Sequence, residues 1–145
     1  MQFIYEKSQK EGKDNVIAAL SRIIMAYQYN KNNFNFFDKS LENIMNNLPL
    51  KYDNNENLTI LDFLIYIIDM LDLEQYKKYI GSIMKVLHCI VIFDAKCETK
   101  PEHLAKVKQY INKLSQNETI KILIEGIIEK EFKPGEKDKF LKSLS

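Results

Sequence analysis

Apolar residues return at helical spacing in segments that open near residues 14, 57 and 101, with intervening apolar helices opening near 36 and 79, a period of about 43 residues. Glycine and proline together number only seven in 145 residues, so the turn punctuation that a sheet protein needs is largely missing. An all-α fold follows. With 46% hydrophobic and 28% charged residues, the chain has both the apolar material for a core and the polar material for a wetted surface.

The helices can be placed one at a time. DNVIAALSRIIMAYQ aligns Val16, Ile17, Leu20, Ile23, Ile24 and Tyr27 on one face, with Asp14 as its N-cap. After the polar NKNN turn, Phe37, Leu41, Ile44, Met45 and Leu48 repeat the pattern up to Pro49. LTILDFLIYIIDML is apolar on nearly every side except for Thr59, Asp62, Tyr66 and Asp69, which marks a helix held between neighbours. At about fourteen residues with two aspartates it is too short and too charged to cross a bilayer.

From Leu73 to Asp94 a longer stretch turns Tyr76, Ile80, Ile83, Met84, Leu87, Ile90 and Val91 inward, with Gly81 as a point where it could bend. Pro101 opens the next helix, whose stripe is Leu104, Val107, Ile111 and Leu114. Ser115 with Glu118 reads as a capping box ahead of Ile120, Leu123, Ile124, Ile127 and Ile128, and FKPGEK ends that helix. Residues 131–145 form a tail with one short amphipathic turn or two around Phe140, Leu141 and Leu144, and MQFIYEKSQK reads as one more helical piece.

Helix pairs recurring at this period are the signature of HEAT and armadillo units, which bury their apolar faces by stacking on one another. The expected architecture is an α-α superhelix (ARM/HEAT solenoid) of about three antiparallel helix pairs, a single fragment over 1–145 with a repeat core at 12–130. A closed helical bundle is the alternative arrangement.

DNVIAALSRIIM, the helix ending in NIMNNLPL, the loop KYDNNEN and the stretch KVKQYINKLSQNETIKILIEGI resemble the C-terminal HEAT repeats of importin-beta (karyopherin-beta) receptors, nearest to the importin beta-three class. The likeness spans residues 12–130 and lies in order and spacing. At the Leu-Pro-Leu, where the family carries a tryptophan or another large aromatic, this chain reads Asn46-Asn47. The resemblance implies a nuclear import function: cargo proteins carried through nuclear pores under the control of the GTPase Ran, aided by Phe-Gly nucleoporins, by a monomeric receptor that shuttles between cytoplasm and nucleus.

Little in the chain points to catalysis. Cys89 and Cys97 have no CxxC or HxxxH companion to complete a zinc set, no phosphate-binding glycine loop occurs, and His88 and Cys89 point about 100° apart on a helix. No catalytic residue, cofactor or metal is expected, and a net charge of +1 offers no field for nucleic acid or an anionic membrane. Two cysteines without a secretory leader indicate a reducing compartment.

One feature has a functional reading. Asp62, Tyr66 and Asp69 share the polar edge of an otherwise apolar helix, and on the concave face of a solenoid the carboxylates would suit lysine- or arginine-rich segments of a bound protein. The plain reading is a solvated helix edge. Two other functions fit the same pattern of helices: a HEAT or armadillo scaffold outside nuclear transport, and a freestanding small helical regulator or enzyme with a pocket around His88, Tyr79 or His103.

Overall fold

The computed structural model describes residues 2–26 and 34–145, with side chains from 9 to 26 and from 37 onward. Tyr27 and the NKNN turn lie outside the described residues. Among the described residues eight α-helices follow one another: α1 (Gln2–Ala26), α2 (Phe34–Asn46), α3 (Asn57–Tyr66), α4 (Leu73–Ile92), α5 (Asp94–Cys97), α6 (Pro101–Leu114), α7 (Glu118–Glu131) and α8 (Pro134–Leu144). A 3-10 turn at Asn54–Glu56 leads into α3, and there is no strand among the described residues.

The helices form an α-α superhelix in two layers. Helices α1, α3 and α6 stack in one layer, α2, α4 and α7 in the other, and α1 with α2 and α3 with α4 pack as pairs. The third unit differs, because α8 packs against both α6 and α4. Short connections force each pair to run antiparallel, and each unit buries what its neighbour leaves open.

Helix α4 shows how the sequence determines position. Asp72 caps it by accepting from Gln75 N at 2.8 Å while the Gln75 side chain accepts from Asp72 N at 3.0 Å, which closes two orphan backbone donors. Tyr76, Tyr79, Ile80, Ile83, Met84, Val86, Leu87, Ile90 and Val91 are all buried, more than one face's worth, because α4 has neighbours on several sides. Gly81 sits within the single continuous helix.

Four local expectations are corrected. Helix α1 starts at Gln2, so Asp14 lies in its interior and is not an N-cap. Its carboxylate instead accepts from Tyr52 N at 2.8 Å and Asp53 N at 3.0 Å, fastening the α2–α3 connection to α1. Over residues 9–26 the buried face of α1 is Asp14, Ile17, Ala18, Ser21 and Ile24, which leaves Val16 and Ile23 at 63% and 47% exposure. The cap of α7 is Asn117, which accepts from Ile120 N at 3.2 Å, and Ser115 closes α6. The apolar segment after Asn57 is helical only to Tyr66 and then turns, so Asp69 lies beyond α3.

At the C-terminus a full helix stands in place of a turn or two. Phe140 of α8 is completely buried and meets Phe132 edge-on at 5.0 Å between centroids. His88 of α4 meets Phe132 at 4.7 Å, and its Nε2 lies 3.1 Å from Oε1 of Glu136, so an aromatic cluster and a half-buried polar contact together dock α8. That hydrogen bond holds the Glu136 carboxyl below the usual carboxylate range, against the opposing effect of burial.

Asn57 fixes the chain between the first two units. Fully buried, it accepts from Leu50 N at 2.9 Å and donates to Leu50 O at 2.9 Å and Asn54 O at 3.1 Å. Asn57→Ala leaves the buried backbone groups of Leu50 unpaired and is expected to cost about 3 kcal/mol, or about 10 °C in Tm. Thermal denaturation followed by circular dichroism checks this; a loss below about 0.5 kcal/mol would contradict the assigned role.

Candidate functional site

The polar edge formed by α3 and the turn after it is occupied by the next unit. Asp62 accepts from Lys106 Nζ at 2.9 Å and Asp69 from Lys113 Nζ at 3.0 Å, and each pair joins residues 44 apart in sequence. The repeat length thus reappears as a spatial register, since residues one period apart face each other across the α3–α6 seam. The side chains of Asp62 and Asp69 remain 51% and 80% exposed, with Tyr66 half-buried. These carboxylates reach solvent, but each already has an ammonium partner, so a basic ligand would have to displace Lys106 and Lys113.

Below the outer pair, Ile68, Asp69, Tyr76, Lys113, Leu114, Gln116, Asn117 and Ile120 line a cleft of about 340 Å³. Tyr76 donates its hydroxyl proton to Ile68 O, and burial, reinforced by Asp69, pushes the phenol well above its ordinary value. Tyr110, 3% exposed, is shifted the same way by burial and then by Tyr76, and its hydroxyl has no hydrogen-bond partner among the described residues. Both phenols are neutral across the physiological range and serve as packing elements.

His88, Tyr79 and His103 have separate surroundings. Tyr79 lines a groove with Asp38, Leu41, Glu42, Asp72, Glu74, Gln75 and Lys78, whereas His88, nine residues along the same helix and so about 13 Å away, faces the α7–α8 cluster. His103 is tied to its own helix start, where its Nδ1 accepts from Lys100 N at 2.9 Å. Among the described residues, no three His, Cys, Asp or Glu side chains cluster as metal ligands, and no helix is long and apolar enough to cross a membrane.

The thiols are packed. Cys97 is fully buried and points its Sγ at Cys89 O, 3.6 Å away, and Cys89 itself is half-buried. Burial pushes the Cys97 thiol up to about 11, and raises Cys89 against the pull of Lys51 and Lys96. Since the thiolate is the reactive form, Cys97 stays almost wholly in its unreactive thiol form at pH 8.

A second surface was not visible in the sequence. Lys10 and Lys13 of α1, with Asp14, face Asn46, Asn47, Leu48, Pro49, Lys51 and Tyr52 of the α2–α3 connection across a cleft of about 340 Å³. The Asp14 hydrogen bonds hold the two walls together. Lys10 and Lys13 are 38 or more positions from Lys51 and Tyr52, so no local pattern could announce the cleft.

Compared with protein-family models, with curated proteins and with solved structures, the chain matches none.

A disulfide-exchange reagent at pH 8 is expected to leave Cys97 unmodified in the native protein and to modify Cys89 slowly, with both reacting at once in urea. Rapid native-state reaction of both thiols, counted by mass spectrometry, would contradict the packing described.

Proposed function

We propose that this chain is a protein-binding segment of a helical-repeat receptor and, following the sequence resemblance, that the receptor carries cargo through nuclear pores. The observation that carries the binding reading is the stacked, registered array: units related by 44 residues meet along a seam of polar pairs. Such arrays offer long continuous surfaces, and since each unit touches only its neighbours, small adjustments at the seams add up to a change of pitch. Cargo proteins, Ran and Phe-Gly nucleoporins are the partners that the resemblance supplies, met through the whole receptor in cytoplasm and nucleus, with no catalytic step by this chain.

A helical scaffold outside transport is the second reading, favoured by Asn46-Asn47 at the position where the importin-beta pattern has a large aromatic. Antibody raised to this chain separates the two on cell extract and fixed cells. The transport reading expects a band several-fold heavier than 17.1 kDa and staining of the nuclear rim. A 17.1 kDa band spread evenly through the cell would overturn it.

A further inference from the structure

The described lining of the cleft between α1 and the α2–α3 connection carries more ammonium groups than carboxylates. Lys10, Lys13 and Lys51 are exposed along its walls, and the one carboxylate among its described lining residues, Asp14, is 7% exposed and already accepts two backbone N–H bonds. Several lysines elsewhere are paired with a carboxylate: Lys106 with Asp62, Lys113 with Asp69, Lys137 with Glu129 and Lys139 with Asp94. Glu11 and Asp53 lie near enough to Asp14 to interact with it or its neighbours, but neither lines the cleft.

The walls are also shaped for a chain. Tyr52 is 44% exposed with Lys10 Nζ 5.1 Å from its ring centroid, and Leu48 and Pro49 give the floor an apolar strip. Fastening by Asp14 and Asn57 holds the connection in place before any ligand arrives, which lowers the ordering cost of binding. We propose that this cleft binds an acidic peptide segment of a partner protein, its carboxylates on Lys10, Lys13 and Lys51 and an apolar side chain against Tyr52. The inference rests on the reading of the chain as a protein-binding segment and names the chemistry of one partner. It also reverses the charge expected of that partner from the Asp62–Asp69 edge.

The test is fluorescence anisotropy with a short labelled peptide of alternating glutamate and leucine, a lysine-for-glutamate counterpart, and three proteins. Wild type is expected to bind the acidic peptide and not the basic one, more weakly as salt rises. Lys13→Glu with Lys51→Glu should weaken binding about ten-fold or more, while Lys121→Glu, an exposed lysine on α7, should leave it unchanged. All three substitutions are at exposed positions, and melting curves confirm equal folding. No binding by wild type, or equal loss in both variants, overturns the cleft. If the cleft fails while rim staining holds, only this inference is lost; acidic-peptide binding by a chain that stains diffusely removes the transport reading and keeps the cleft.

Discussion

The burial of α4 is the constraint on which the rest of the fold depends. A helix of 20 residues with nine buried side chains cannot stand alone in water, and each of those side chains gains about 1.5–3 kcal/mol only when neighbours cover it. Helices α2, α3, α6, α7 and α8 all pack on it. The two-layer arrangement is the geometry that covers α4 on one side by its own pair and on the others by the units before and after. Its start is set locally by Asp72 and Gln75, its sides are set by distant chain, and the array is built outward from it.

Apolar packing and surface ion pairs both join the units. Around α4 the contacts are apolar and close-packed, as where Ile83, Met84, Val86, Leu87 and Ile90 have essentially no exposure. At the exposed edge between α3 and α6 the ion pairs add about 0.2–1 kcal/mol each and weaken in salt, while Leu61 and Leu64 of α3 and Val107 and Ile111 of α6 belong to the same buried core as α4.

Helix identity was legible in the sequence wherever the apolar stripe was strong. Phe37, Leu41, Ile44 and Met45 of α2, Leu48 just after it and the inward set of α4 are buried as their spacing predicts, and α3 and α6 begin at Asn57 and Pro101, as the period requires. Errors arose where a local signal had a competing tertiary use. Asp14 has the chemistry of a cap, but the helix continues past it and the carboxylate serves the loop that returns beside it. Ser115 and Glu118 have the capping-box spacing, yet Asn117 is nearer the helix start and takes the role. Phe140 looked like part of a loose tail because nothing in residues 131–145 reveals α4 and α6, the distant helices on which α8 packs. The acidic edge was legible as residues but not as a site, since the matching lysines stand one full period away.

Hydrogen exchange read by mass spectrometry tests the central claim, that α4 is the shared core of a stacked array. The amides of residues 83–90 are predicted to exchange slowest and only through global unfolding, while α8 and the first turns of α1 open earlier and independently. Uniform protection of all helices, or exchange in α4 as fast as in α8, would contradict the account.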